Sequence, residues 1–376
     1  MSKRILFLTL ETFSAAGGIQ SMNRTLAYSL YELCKKNNWD IKLYCLNDLS
    51  ADVKPKYLPF FCFKGFGKNK AMFTLKSIMN GMNTDLVLLS HVNLSIIGLA
   101  IRLLNPNCKI WLIAHGIEVW QPLKGWKKRI WNTANRVICV SQFTKSKVMK
   151  LHGASPSHCV VLNNVLDPFI KLPENFDKPE YLLRRYGLKP GDPVVFTLTR
   201  INLAEKFKGY DQVITAVTRI KQYLPSIKYI LAGPCEPTEK SRIEQLVADQ
   251  GLSNNFILAG YIEEKELADH YLLADLFVLP SKKEGFGIVF IEAMAYGLPV
   301  ICGNVDGSID AVRNSEMGMA IDPDDIDGLE MAIIQKLSMN LTIDDRKNIQ
   351  GQCLKHFNET NYRDILEKLI INETVD

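Results

Sequence analysis

The chain has 376 residues, 47% of them hydrophobic and 23% charged, with a formal net charge of +5. That balance excludes a disordered chain, and the length gives room for two domains. No apolar run approaches the roughly 20 residues that span a bilayer. The nine cysteines show neither C-x-x-C nor zinc-like spacing, which reads as reduced thiols in the cytoplasm. Charge is unevenly placed. Residues 1–170 carry 22 Lys and Arg against 8 Asp and Glu, a net of +14; residues 171–376 carry 23 against 32, a net of −9. A basic half beside an acidic half predicts two domains with different partners.

Met1-Ser2-Lys3-Arg4 followed by ILFLTL imitates a signal peptide, but the run is short and Glu11 interrupts it. Arg4–Leu10 therefore reads as a first core strand. It opens into ETFSAAGG, Glu11–Gly18, and then a helix from about Gln20 to Lys35. Gly17 and Gly18 would bring backbone N–H groups near a phosphate or a reacting oxygen, although the pair is not G-x-G-x-x-G and alone says little. Ile41–Leu46, Asp85–Ser90, Ile110–Ala114 and Val137–Val140 read as further strands, with helices between them. The alternation predicts a parallel, doubly wound sheet with ligands at the carboxyl ends of its strands. His115 lies at such an end, in WLIAHGIEVW. It is either a turn histidine bonded to backbone or a group placed for chemistry, with Glu118 close enough to orient its ring. His91, after LVLLS, reads as structural, and Ser141 as the N-cap of the next helix.

Two segments carry much of the basic charge. Lys54–Lys70, KPKYLPFFCFKGFGKNK, has five Lys with Tyr57 and four Phe, and Lys124–Trp131 reads KGWKKRIW just after Trp120. Basic residues interleaved with aromatics suit a membrane interface of anionic lipid. The competing reading is that the aromatics pack inward and only the charges are exposed. Single-stranded nucleic acid would accept the same pattern, but no nucleic-acid motif accompanies it, so no such partner is expected.

Pro168, Pro173, Pro179, Pro190 and Pro193 follow Asn163-Asn164-Val165 and predict a domain boundary there, with a short helix over Pro179–Tyr186. Val194–Thr199 then reads as a strand delivering Arg200, INLAEKFKG and a helix from about Tyr210 to Leu224. Arg200, Lys206 and Lys208 cluster before a helix N-terminus, where the helix dipole favours acids; a bound anion explains the cations better. Lys228–Ala232 leads to Gly233-Pro234, and Phe256–Leu258 to Gly260-Tyr261-Ile262. After a helix from about Lys265 to Leu273, Ala274–Leu279 reads as a buried strand and Glu284-Gly285-Phe286-Gly287 as a glycine turn. Ile288–Tyr296 is a helix stopped at Gly297, and Leu298–Cys302 the next strand. Such a turn presents N–H groups and a positive helix end to an anion. Glu292 is the only charged residue of IVFIEAMA and needs donors. An ordinary strand-to-helix connection whose Glu292 pairs with a buried Arg is the competing reading. Asp322–Asp324 and Asp325–Asp327 match D-x-D, yet they precede a helix, where aspartates cap the first turn, so they read as caps rather than a metal site.

The pattern E-G-F-G-x-x-x-x-E-A-M-A-x-G-x-P-V, with Glu284 and Glu292 eight apart, resembles the donor-site signature of family-4 GT-B glycosyltransferases. The resemblance runs from about Arg4 to Glu367 and is strongest over Val194–Asp324. It implies an α/β GT-B fold: two facing Rossmann-like domains with parallel sheets and an interdomain cleft. The acceptor domain would cover 1–170, the donor domain 171–356, and a C-terminal helix in 357–376 would pack back on the first. It further implies that Glu284 bonds hydroxyls of the transferred sugar, Glu292 the ribose, and the amides of Phe286, Gly287 and Ile288 the diphosphate. Arg200 and Lys208 match the family's Arg and Lys-Gly on that diphosphate, with Lys206 as the alternative because the loop is longer than in many members. Gly17 and Gly18 would line the cleft, Gly303–Asp306 would close it, His115 would sit beside the reacting sugar, and Ile262 would read the nucleobase through backbone atoms. Asn164 replaces the Gly of the family's N-G-V and would take the same left-handed backbone.

The implied function is retaining, metal-independent transfer of a mannose- or glucose-type hexosyl group from a nucleotide-sugar, with no cofactor. The acceptor would be a hydroxyl of a glycan or lipid-linked glycan in polysaccharide biosynthesis. The loop RINLAEKFKG resembles that of bacterial exopolysaccharide mannosyl- and glucosyltransferases, and that resemblance favours GDP-mannose slightly over UDP-sugars. A lipid-borne acceptor would place the protein in the cytoplasm, peripheral at the inner face of the cell membrane. Two other classes stay open: a GT-B sugar-nucleotide epimerase, and a non-catalytic nucleotide-sugar-binding protein.

Overall fold

A computed structural model describes residues 2–372; Met1 and residues 373–376, the outer ends of the expected segments 1–170 and 357–376, lie outside the described residues. The chain forms two compact units, one running to Phe169 and resuming at Phe357, the other Ile170–His356. Each is built on its own parallel sheet. Among the described residues no helix is long and apolar enough to cross a membrane.

The first unit holds seven strands: β1 (Arg4–Thr9), β2 (Asp40–Cys45), β3 (Phe63–Gly65), β4 (Leu86–Leu89), β5 (Lys109–Ala114), β6 (Arg136–Cys139) and β7 (Cys159–Val161). Their order across the sheet is β3-β2-β1-β4-β5-β6-β7. Central strands such as LVLL are apolar at every position because helices cover both faces of a parallel sheet. Strand order reverses between β1 and β4, whose register pairs Leu8 with Leu89. At such a switch point the connections diverge to opposite faces and leave a crevice beyond the carboxyl ends. Glu11–Gly18 leaves β1 there, Ser90 and His91 leave β4, and His115 leaves the neighbouring β5.

The Gly18–Asn37 helix buries Met22, Leu26, Leu30 and Leu33, and carries Lys35 and Lys36 in its last turn, where cations complement the dipole. The Glu359–Asn372 helix packs on it through the buried Tyr362, Leu366 and Ile370. Ser29 donates to Glu359 at 2.7 Å, and Lys36 pairs with Glu367 at 2.7 Å. The turn at Asn163–Asn164 departs from expectation. Asn164 is not among the described residues of positive φ, so no glycine-like conformation is adopted there. Asn163 Nδ2 donates to Val140 O at 3.1 Å and ties the exit from β7 to the end of β6.

The second unit holds β8 (Val194–Leu198), β9 (Lys228–Ala232), β10 (Phe256–Gly260), β11 (Leu276–Leu279), β12 (Val300–Gly303) and β13 (Met319–Ile321). The order is β10-β9-β8-β11-β12-β13, so the switch point falls between β8 and β11. The loop carrying Arg200, Lys206 and Lys208 leaves β8, and the loop carrying Glu284 leaves β11. The Ile288–Ala295 helix is braced from outside by the Ile343–His356 helix, whose Gln350 donates to Ala295 O at 2.8 Å.

The apolar seam of the Glu359–Asn372 helix sets a contrast between neighbours. Leu366 is buried and Ile365 is exposed. Leu366→Ala is expected to destabilise the first unit by about 3 kcal/mol, and Ile365→Ala by about 0.5 kcal/mol or less, in urea unfolding. Equal shifts for the two would show that this helix is not held by its buried face.

Candidate functional site

In the second unit the fold brings two distant residues together. Lys208 Nζ lies 2.5 Å from Glu284 Oε1, with side chains only 12% and 15% exposed. Lys206 points to solvent, so the ion pair belongs to Lys208. Arg200 is largely exposed and pairs with Glu205 at 2.9 Å. Gly209, which follows Lys208, has φ 84°, and a Cβ there would stand 2.4 Å from Pro280 O. Only glycine lets the β8 and β11 loops approach this closely, which seats the lysine on the glutamate.

Asp306 fixes the other partner. Fully buried after β12, it accepts the N–H of Glu284 at 2.6 Å and that of Ser308 at 2.9 Å. Gly307 N donates back to Glu284 O at 2.8 Å, and a Cβ on Gly307 would meet Gly285 O at 2.1 Å. Burial first, and then the charge of Glu284, push the Asp306 carboxyl up to about 7; the two N–H donors oppose the rise. The resemblance placed Gly303–Asp306 near the site but gave Asp306 no task; an acid directly past an apolar strand was the available signal.

Glu292 accepts from the Tyr271 hydroxyl at 3.0 Å, and Tyr271 stacks on Tyr296 at 5.4 Å. A buried tyrosine is thus one of the donors that Glu292 needs. The side chains of Phe286 and Ile288 are buried, and Gly287 opens the Ile288–Ala295 helix between them. Ile262 is also buried. Next to it, a cavity of about 560 Å³ is lined by Pro234, Cys235, Lys240 and Leu258–Tyr261. The aspartates of the D-x-D runs cap backbone or pair with cations, Asp327 with Arg219 at 2.5 Å. Asp325 caps Gly328 N at 2.8 Å, Asp322 takes Asp324 N at 2.9 Å, and Asp324 pairs with Lys282 at 2.5 Å.

In the first unit, Gly17 and Gly18 open the Gly18–Asn37 helix, which has no side-chain cap and no acid in its first turn. Its leading amides are thus left for water or an anion. The loop before it is tied by the buried Asp48, which accepts Phe13 N at 2.8 Å and Ser14 Oγ at 2.6 Å. His115 is 8% exposed, and its Nε2 lies 2.7 Å from Ser90 O. A carbonyl can only accept, so Nε2 carries the hydrogen and Nδ1 the lone pair. Burial pushes its pKa down to about 4. The expected role of Glu118 is corrected here. Its carboxylate accepts the backbone N–H of His115 at 2.6 Å and of Gly116 at 3.3 Å, and the ring is oriented by Ser90 instead. The short loop turns the carboxylate back on its own backbone before it can reach the ring. His91 Nδ1 accepts Asn93 N at 3.0 Å, the structural task expected of it.

The aromatics of the basic segments divide. Phe60, Phe61 and Trp126 are exposed, Phe61 by 82% and Trp126 by 57%. Tyr57, Phe63, Phe66 and Trp131 are buried: β3 and the Gly125–Thr133 helix turn them into the core. The sequence reading passed over Met72, Leu75, Met79 and Met82, all exposed. Spaced three, four and three apart, they form one stripe running along and just past the Lys70–Gly81 helix.

Two Rossmann-like units with parallel sheets, each presenting its loops at a switch point, define the GT-B class of fold. Solved structures agree. Anabaena HepE in complex with UDP superposes with a TM-score of 0.74 at 17% identity, over 98% of this chain and 100% of that one. Sucrose-phosphate synthase from Thermosynechococcus elongatus gives 0.79 at 20% identity, over 99% of each. Residues 24–168 match the model of Glycosyltransferase Family 4, and residues 182–352 that of glycosyl transferases group 1. The chain belongs to these GT-B, family-4-type glycosyltransferases. Among curated relatives, the GDP-mannose-dependent alpha-(1-6)-phosphatidylinositol monomannoside mannosyltransferase of Mycolicibacterium smegmatis is 30% identical over 58% of each chain. The O-antigen chain mannosyltransferase B of Escherichia coli is 29% identical over 55% of this chain and 52% of that one. The matches thus span little more than half the length of these relatives.

The depressed His115 sets a pH dependence. Its neutral form contributes stability that is fully present above pH 6.5 and is lost as pH falls toward 4. The stability difference between wild type and His115→Gln, measured by urea unfolding, should shrink by about 3 kcal/mol from pH 7 to pH 4. A difference that stays constant would show that the ring is not held neutral.

Proposed function

We propose that the protein is a retaining hexosyltransferase that moves a mannose- or glucose-type sugar from a nucleotide-sugar to a hydroxyl of a glycan or lipid-linked glycan in polysaccharide biosynthesis. The observation that carries the reading is the Lys208–Glu284 pair at the second switch point, where a charged lysine and a glutamate share one nearly closed spot. Lys208, with Arg200 and the amides of Phe286, Gly287 and Ile288, offsets the charge that grows on the leaving diphosphate. Glu284 holds hydroxyls of the sugar, and Glu292, set by Tyr271, holds the ribose. Ile262 and the cavity beside it take the base. Gly17, Gly18 and His115 act from the first unit on the reacting sugar, His115 as a neutral group. The departing phosphate accepts the acceptor's proton, so configuration is retained without attack by a carboxylate, and charge is offset without a metal. The relatives named for GDP-mannose support that donor over UDP-sugars.

Transfer assays with GDP- and UDP-sugars test the assignment. Lys208→Ala should lower the rate by about 10²–10³. Glu284→Ala should abolish transfer at an unchanged melting temperature, Lys206→Ala should be near silent, and activity should persist in chelator. A damaging Lys206→Ala with a silent Lys208→Ala, or loss of activity in chelator, would sink the corresponding part.

We further propose that the first unit docks on an anionic membrane at the cytoplasmic face, through Phe60, Phe61, the Met72–Met82 stripe, and Trp126 with its neighbouring lysines. Each Lys or Arg near such a surface contributes about 1 kcal/mol, and the apolar groups add interfacial burial. The protein should sediment with phosphatidylglycerol vesicles and not with phosphatidylcholine ones, salt should release it, and the double change Phe60→Ser with Phe61→Ser should weaken binding. Indifference to anionic vesicles at low salt would refute the docking.

A further inference from the structure

A cavity of about 730 Å³ lies wholly within the first unit, lined in part by Asn93, Glu118, Gln121, Lys124, Trp126 and Lys127. It stands where the chain leaves β4 and β5, beside His91 and His115, and donor binding gives it no task. Its lining has three chemistries. Asn93 and Gln121 offer amides and Glu118 a carboxylate, groups that suit sugar hydroxyls. Trp126 offers an exposed aromatic face, with the exposed Ile96 also in the lining. Lys124 and Lys127 add two cations, and among the described residues neither has an ion pair. Glu118, the one acid of the lining, is turned onto the N–H of His115 at 2.6 Å and of Gly116 at 3.3 Å and offsets at most one of the two cations. No other acid is near in sequence. From Val53 to Leu166 the chain has 16 Lys and Arg, and its only acids are Glu118 and Asp85. Asp85 lies 3.6 Å from Arg4. Two lysines against one acid leave the concavity with an excess of positive charge, which favours an anion.

We infer that this cavity holds the head of the acceptor, and that the head is a sugar phosphate. Its hydroxyls meet Asn93, Gln121 and Glu118, its phosphate meets Lys124 and Lys127, and whatever the phosphate carries lies against Trp126. The presence of a sugar rests on the glycosyltransferase reading; the phosphate rests on the cavity's own charge. A free sugar phosphate and a lipid-linked one share this chemistry.

Trp126 supplies a readout that does not depend on turnover. The full chain is titrated with mannose 1-phosphate, farnesyl mannosyl phosphate and methyl α-mannoside, and quenching of tryptophan fluorescence is followed. Both phosphates should bind at least about tenfold tighter than the uncharged mannoside, a gap of about 1.4 kcal/mol. Lys124→Gln with Lys127→Gln should erase that gap, and Trp126→Phe should remove the signal. Asn93→Ala should weaken all three sugars alike, which keeps the test open if the double variant folds poorly. Tighter binding of the farnesyl compound assigns a lipid carrier, and equal binding a soluble one; either upholds the inference. Equal affinity for charged and uncharged sugars, no binding of either phosphate, or a preference that survives the double variant overturns it. GDP and UDP are titrated on the same samples. Nucleotide binding without sugar-phosphate binding sinks this inference alone, whereas loss of nucleotide binding sinks the donor reading.

Discussion

A buried aspartate holds the key loop at each switch point. Asp306 takes two backbone N–H groups in the second unit, and Asp48 does the same for the Thr12–Ser14 turn in the first. Loops at strand ends expose amides that neither helix nor sheet can satisfy. A carboxylate from the neighbouring strand satisfies several at once and fixes the loop's path, whereas solvent would satisfy them without fixing anything. The position of Glu284 follows from Asp306, and the helix start at Gly17 and Gly18 follows from a loop pinned by Asp48. Removing either aspartate would leave its sheet intact and its loop without a defined conformation.

The electrostatics build on that constraint. Lys208, Glu284 and Asp306 form a compact group in which one cation faces two acids. The raised Asp306 carboxyl relieves the excess negative charge, because near neutrality it is protonated part of the time. Burial would make any one of these charges costly alone, and Lys208 lies against Glu284 at 2.5 Å in a site that largely excludes water. In the first unit the balance is reversed. Cations predominate there, and the histidine is kept neutral by burial rather than paired.

Much of this was legible in the sequence. Apolar runs alternating with helical patterns gave the two parallel sheets, and the spacing of Glu284 and Glu292 pointed to the site. The helix after Gly287 and the caps at Ser141 and Asp325 appear where local chemistry puts them. What escaped is what periodicity cannot carry. β3 and β7 have three residues each, too few to show a pattern. The inward turn of Trp131, the backbone bond of Glu118 and the lack of a positive φ at Asn164 depend on tertiary neighbours. Asp48 and Asp306 are single acids whose importance lies in amides far away in sequence. That Lys208 rather than Lys206 pairs with Glu284 follows from the close approach at Gly209, which one sequence cannot display.

On the proposed donor assignment, the ion pair between Lys208 and Glu284 makes the site its own competitor. A phosphate that arrives at Lys208 does not meet a bare ammonium; it must take the place of a carboxylate already bound there. The net gain is the difference between two ion pairs, not the full strength of one. On that assignment Glu284 would reclaim the lysine once the sugar had gone, and would push the spent nucleotide toward solvent. An internal rival of this kind trades tightness of grip for speed of exchange, and guards the site against occupation by its own product.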